Sequence, residues 1–340
     1  MKEKLIAPQI MRGVAAILIV IGHATVLVGS AAAVELFFII SGFMMMLTSE
    51  NGLQRFFTKR IIRIIPLYWI VTAAFVLFVR PTTFTVSYFI KSLFFINWNN
   101  PPILNVGWTL NCEVRFYVFF WLSAKINRKF RGLIASSVCI IWCLINYFFF
   151  RGAFIVPSMP LAFVFGIAAY YLYKILKDRL VKIYHKIICG CLIVLSAVAV
   201  HTNFVDQLVW NVNAGTWSLK RPVVYGIPVL VIFLSMLVIV KKGTSKPVRA
   251  FAYVGDISYS LYLWHTVIQS LLVIFFEKTG YVVTFPSTYR FMALTLTVSL
   301  MASHFSFKYI EKPLGDFLKQ KLIRPKKEKL SDGSASPDLK

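Results

Sequence analysis

Apolar runs of helix length recur along almost the whole chain, and clusters of lysine and arginine separate every second one. That alternation leaves few folds open. A bilayer core of about 30 Å is crossed by about 20 helical residues, and inside it only helices or closed barrels satisfy every backbone group. The expectation is an all-α, polytopic membrane helix bundle. Spans are expected near residues 10–28, 34–48, up to 79, from 107, 133–150, 155–173, 187–201, 223–240, 257–276 and 290–307, about ten in all. The basic clusters are Arg55, Lys59, Arg60 and Arg63; Lys125, Arg128, Lys129 and Arg131; and residues 174–186, 241–249 and 308–329. They alternate with connections poor in charge, which puts both termini in the cytoplasm. Residues 84–98 are apolar but short and interrupted by Lys91, and read as a re-entrant or interfacial segment.

Composition closes off the other classes. Charged residues make up 15% of the chain and hydrophobic ones 58%, against about a quarter charged in soluble domains. A net charge of +24 would otherwise point to nucleic acid. The charges lie between apolar runs rather than on one patch, so no nucleic-acid partner is expected. Five cysteines form no framework, and no histidine or acid completes a metal site beside Cys139 and Cys143. The lysine-bearing start with Ala31-Ala32-Ala33 imitates a cleavable signal. It is expected to stay, because an equally apolar segment and a basic cluster follow. Residues 1–318 are read as the membrane domain and 319–340 as a basic and polar cytoplasmic tail, expected to be disordered.

The first span carries two residues that a membrane helix ordinarily avoids, Arg12 and His23. Eleven positions at about 100° each return the second to within roughly 20° of the first, about 16 Å along the axis. A cation at the edge and a titratable base deeper on one stripe suit a built pathway; a snorkelling flank and a bonded core histidine would be the structural alternative. Arg60-x-x-Arg63 puts two guanidiniums on one face, a geometry for phosphate, though positive-inside anchoring also explains it. Glu113 could orient a histidine, receive a hydroxyl proton or pair with Arg115. Glu35 opens the second span, where a helix N-terminus favours an anion. His265, in the aromatic entry 258–265, could serve the site or pack the bundle. Trp210 and Trp217 could anchor an interface or stack on a sugar.

In order, the chain shows Arg12-x10-His23; Glu35-Leu36-Phe37-Phe38 with Ser41-Gly42-Phe43; Arg60-x2-Arg63 before Pro66-Leu67-Tyr68-Trp69; Trp108-Thr109-Leu110 with Glu113 and Phe116-Tyr117; and Ser258-Tyr259-Ser260-Leu261-Tyr262-Leu263-Trp264-His265. Together, over about residues 5–315, they resemble the membrane-bound acyltransferase family 3, which includes O-antigen, exopolysaccharide and Nod-factor O-acetyltransferases. The resemblance implies a transmembrane O-acyltransferase of the bacterial cytoplasmic (inner) membrane. Its donor would be cytoplasmic acyl-CoA, most often acetyl-CoA, used as a co-substrate with no permanently bound cofactor. Its acceptor would be a hydroxyl of an extracytoplasmic or lipid-linked glycan. His23 would be the general base, Glu113 would orient or stabilise its imidazolium, and Arg12, Arg60 and Arg63 would hold the acyl-CoA. Supporting or acceptor-side roles fall to Glu35, Ser41, Tyr68, Trp69, Asn111, Tyr117, Ser258, Tyr259 and His265. The family usually has aspartate where Glu35 stands, and no fused hydrolase-like domain is expected here. The rival reading is a transporter or flippase whose buried charges line a solute path.

Overall fold

A computed structural model describes residues 5–24, 29–50, 52–96, 100–149, 158–180, 182–201, 221–240, 245–280 and 289–323. Among them are thirteen α-helices and no strand. They are α1 (Ala7–Ala24), α2 (Gly29–Ser49), α3 (Phe56–Val79), α4 (Val86–Leu93), α5 (Gly107–Ile126), α6 (Arg131–Phe149), α7 (Met159–Leu176) and α8 (Ile183–His201). A π-turn (Pro222–Gly226) leads into α9 (Ile227–Ile239), followed by α10 (Lys246–Asp256), α11 (Ser258–Lys278) and α12 (Tyr289–Ser306). A second π-turn (Phe307–Glu311) leads into α13 (Lys312–Leu322).

Among the described residues, seven stretches are long and apolar enough to cross a membrane: α1, α2, α3, α6, α7, α11, and α9 together with its π-turn. The remaining three of the ten expected spans correspond to α5, α8 and α12. Helix α5, with 20 residues, has the length but carries Glu113, Arg115 and Lys125. Helix α12 has 18 residues and many hydroxyls, and the apolar part of α8 is shorter (Tyr184–Val200). Helices α5 and α12 thus place polar atoms where a span defined by hydropathy alone would have none, whereas α8 differs in length.

Two basic connections hold more structure than their charge implies. Residues 246–256 form α10, whose partly buried Val248 and Ala252 and buried Gly255 recur at helical spacing on the helix that packs against α1. Helix α13 continues to Leu322, past the expected tail boundary at 319; the tail from 324 onward lies outside the described residues, as do Trp210 and Trp217. The segment near 84–98 does contain one short helix, α4, capped by Thr85, whose hydroxyl accepts from the Tyr88 backbone at 3.2 Å. Tyr68 Oη donates to Ser92 O at 3.0 Å and Trp69 Nε1 to Leu93 O at 3.0 Å, which fastens α4 to α3.

The core lies between α2, α5 and α7, where Phe116 stacks on Phe163 with centroids 3.9 Å apart and Phe38 meets Phe163 at 4.7 Å. Such close approach depends on glycine. A Cβ at Gly42 would sit 2.3 Å from the Phe163 carbonyl oxygen, and one at Gly166 2.2 Å from that of Ile39. The α1–α10 crossing is similar: a Cβ at Gly255 would lie 1.9 Å from the Gln9 carbonyl oxygen. All three obstructions are backbone, which cannot step aside as a side chain can. Gly166→Leu should therefore abolish a monodisperse peak in detergent size-exclusion chromatography, whereas Gly190→Leu, with open space around it, should leave the peak unchanged. Equal behaviour of the two would contradict this packing.

Candidate active site

Arg12 turns into the bundle, where it is 8% exposed. It faces a cavity of about 70 Å³ that is also lined by Arg63, Glu113, Ser41, Tyr117, Ser258, Tyr259, Thr109, Phe37 and Tyr262. Neither Arg12 nor Arg63 has a hydrogen-bond or ion-pair partner among the described residues. Arg12 is the desolvated member, and a buried cation without a partner is costly; Arg63 is exposed. Glu113 lies within electrostatic range of Arg12, but its Oε1 is engaged elsewhere: it accepts from Ser41 Oγ at 2.7 Å and from the Tyr117 hydroxyl.

Arg63 also lines a wider cleft of about 770 Å³ at the same end of the bundle, with Arg55, Lys59, Arg60, Gln54 and Thr48. Arg60 Nη2 donates to Thr48 Oγ1 at 3.1 Å, and its guanidinium lies 5.6 Å from the Phe56 and Tyr117 ring centres. One basic vestibule thus leads past Arg63 to a buried cationic cavity. Tyr259 seals the wall by donating to Ile64 O at 2.6 Å, and Ser258 Oγ donates to Gly255 O at 2.8 Å.

At its other end the cavity closes on Tyr262. The Tyr262 hydroxyl donates to Val106 O at 2.9 Å and pairs with Thr109 Oγ1 at 2.7 Å, and its ring meets Phe37 edge-on at 6.0 Å. His265 lies next on α11, its ring centre 5.9 Å from that of Tyr262. His265 Nε2 is 2.8 Å from His23 Nδ1. Arg12 and His23 therefore both face α11, as a shared stripe of α1 requires. Gln269 Nε2 donates to His23 O at 2.6 Å and holds the end of α1. At this histidine end of the bundle, the short α4 and residues 100–105 frame a groove of about 820 Å³. Its lining is rich in hydroxyls and amides: Thr83, Thr85, Ser87, Tyr88, Asn100 and Asn105, with Lys91.

The expected pairing of Glu113 with His23 is corrected by this geometry. Glu113 lies at the guanidinium level, bonded to Ser41 and Tyr117, and the partner of His23 is another imidazole. The sequence could not reveal that contact, which joins positions 242 residues apart. Tyr68 and Trp69 clamp α4 rather than reaching the cavity. Asn111 is buried on α5 without lining the cavity, and its Oδ1 has no partner among the described residues. Glu35 is fully buried and its Oε1 accepts from Arg221 Nε at 2.7 Å, so it meets neither His23 nor the cavity. Arg221 also donates to Ala31 O at 3.1 Å and lies over the Tyr225 ring. A lone arginine at the mouth of an apolar run was the available sequence signal for this partner.

A bundle of apolar helices that encloses a basic vestibule, a cavity lined by arginines and a paired histidine defines a multi-pass membrane protein with a polar site inside it. The acyltransferase family 3 model, described as an acyltransferase domain, matches residues 5–304, and the chain belongs to that family. It is 25% identical to the exopolysaccharide production protein ExoZ of Rhizobium meliloti (strain 1021), over 84% of this chain and 89% of that one. It is 28% identical to a protein of Acidianus two-tailed virus named as a candidate acetyltransferase, ORF330, over 75% of this chain and 78% of that one. No solved structure matches the chain. The protein is thus an acyltransferase of the membrane.

The Glu35–Arg221 pair makes a separate stability prediction. Removing one member of a buried pair leaves the other uncompensated, at a cost of about 3–5 kcal/mol, whereas replacing both with apolar residues is close to neutral. Glu35→Met should sharply lower the thermal midpoint in detergent, and Glu35→Met with Arg221→Met should restore most of it. A double variant no better than the single would show that the pair is not what Glu35 contributes.

Proposed function

We propose that the protein moves an acyl group, most often acetyl, from cytoplasmic acyl-CoA to a hydroxyl of an extracytoplasmic or lipid-linked glycan, with His23 as general base. The observation that carries this reading is the pair of partnerless guanidiniums, Arg12 and Arg63, facing a cavity that ends one aromatic ring short of His265 and His23. The donor's phosphates would rest in the basic vestibule against Arg60 and Arg63, where forked donors match paired oxygens. Arg12 would complete the neutralisation deeper in. The pantetheine arm would then follow α1 toward His23, a reach of about 16 Å. The cavity is about 70 Å³ and closes on the Phe37 and Tyr262 rings, so the arm requires those rings to part as it enters. Until then Glu113 is the nearest counter-charge for Arg12.

The acceptor would approach from the histidine end, where the polar groove beside α4 offers hydroxyl and amide partners suited to a sugar. His23 takes the hydroxyl proton as that oxygen attacks the thioester carbonyl. The new C–O bond forms, the C–S bond breaks, and the departing thiolate recovers the proton from His23. Holding both reactants in line supplies a large part of the acceleration. The relative named for exopolysaccharide production supports a glycan acceptor, and the relative named as a candidate acetyltransferase supports acetyl as the group.

Two variants test the assignment with radiolabelled acetyl-CoA and alkali-deacylated polysaccharide from the producing cells. His23→Ala should abolish label transfer while the protein stays monodisperse in detergent. Arg63→Ala should raise the KM for acetyl-CoA by ~10- to 100-fold, the worth of a charge-assisted hydrogen bond, with little change in kcat. Near-normal turnover by His23→Ala would refute the base. An unchanged KM in Arg63→Ala would refute the donor path.

A further inference from the structure

We infer that His265 is a positioning residue that fixes which ring nitrogen of His23 does the chemistry, an inference that rests on the reading of His23 as the base. His265 Nδ1 lies 3.1 Å from the carbonyl oxygen of Leu261, one turn earlier on α11. A carbonyl oxygen only accepts, so His265 carries its proton on Nδ1. His265 is fully buried, and no carboxylate is among the groups acting on it. A second proton would be an uncompensated buried charge, so the ring is neutral and its Nε2 presents a lone pair. That lone pair faces His23 Nδ1 at 2.8 Å, and the two ring planes are within 13° of parallel. His23 must therefore donate from Nδ1. In neutral His23 the lone pair is then on Nε2, the nitrogen not taken by His265, on a side chain that is exposed overall.

Helix α11 sets this up with residues four apart. Leu261 orients His265, His265 orients the His23 ring, and Gln269 holds the His23 backbone carbonyl at 2.6 Å. With ring and backbone both tied to one helix, the orientation of the ring, and with it of Nε2, is held. The arrangement also differs from a carboxylate–imidazole pair in its charge. At rest it buries no ion, and after proton uptake the imidazolium still donates from Nδ1 to a neutral acceptor. Without the acceptor, neutral His23 would distribute its proton over both nitrogens, and the wrong tautomer cannot accept the hydroxyl proton at Nε2.

The test uses the full-length protein, with ring-15N histidine, in lipid nanodiscs. Nitrogen NMR of the wild type, assigned by loss of signal in His23→Gln, should find His23 protonated on Nδ1 and bare on Nε2. His265→Gln places an amide oxygen near the lost Nε2 and should keep that tautomer. It should also keep acetyl transfer to deacylated polysaccharide within ~10-fold of wild type. His265→Leu, of similar bulk and without an acceptor, should lose the tautomer preference. Its kcat should fall ~10²-fold or more, the scale of a general-base contribution, with the KM for acetyl-CoA unchanged. A wild-type His23 protonated on Nε2, or equal kcat values for the Gln and Leu variants, would overturn the inference. The two readings fail separately. Full turnover by His23→Gln removes the base itself, whereas an inactive His23→Gln with the opposite wild-type tautomer removes only the role of His265.

Discussion

A charge carried into an apolar bundle has to meet an opposite charge or be left facing a cavity, and this protein does both. Glu35 and Arg221 take the first course. They neutralise each other at 2.7 Å between α2 and the π-turn that starts the α9 segment. Arg12 takes the second: it is buried with its guanidinium turned into a cavity and no protein partner among the described residues, and the exposed Arg63 lines the same cavity from the vestibule side. The first arrangement holds two segments together. The second leaves electrostatic work for a ligand to complete, and for that reason the basic end of the bundle defines the donor side of the proposed reaction.

The rest of the fold keeps that cavity narrow and continuous. Glycines at 42 and 166 bring α2 and α7 into backbone contact, and Gly255 does the same for α10 against α1. Phe116, Phe163 and Phe38 then fill the centre, so the polar lining of α1, α5 and α11 is confined to one seam. Along this seam the chemistry changes from guanidinium to carboxylate, then hydroxyl, then imidazole. That gradient matches a charged, phosphate-bearing donor end and a neutral, nucleophilic acceptor end.

Much of the framework was legible in the residues. Alternation of basic clusters with apolar runs announced a helical bundle, because a bilayer forces intrasegment hydrogen bonding. The eleven-residue spacing announced that Arg12 and His23 share a stripe. Pairings between distant helices were not legible. Nothing local to Glu113 says that Ser41 and Tyr117 will claim its oxygen, and nothing near His23 names His265. Helix α10 was hidden for another reason: its first turn overlaps the basic cluster at 241–249, and a short amphipathic helix entered through such a cluster reads as a loop when charge alone is counted. The polar hydroxyls of α12 and the ions of α5 likewise kept both below the apolarity of the seven clear spans.

The central claim is that a donor held by the basic vestibule delivers its acyl end to the histidine pair. Photo-crosslinking with an acyl-CoA analogue bearing a diazirine at the end of its acyl chain, followed by peptide mass spectrometry, examines that delivery directly. The account predicts adducts on the Ala7–Ala24 and Ser258–Lys278 segments, around His23, Tyr262 and His265, suppressed by excess CoA and lost in Arg63→Ala. Adducts confined to the basic cleft around Arg55 and Lys59, or labelling indifferent to CoA, would contradict it.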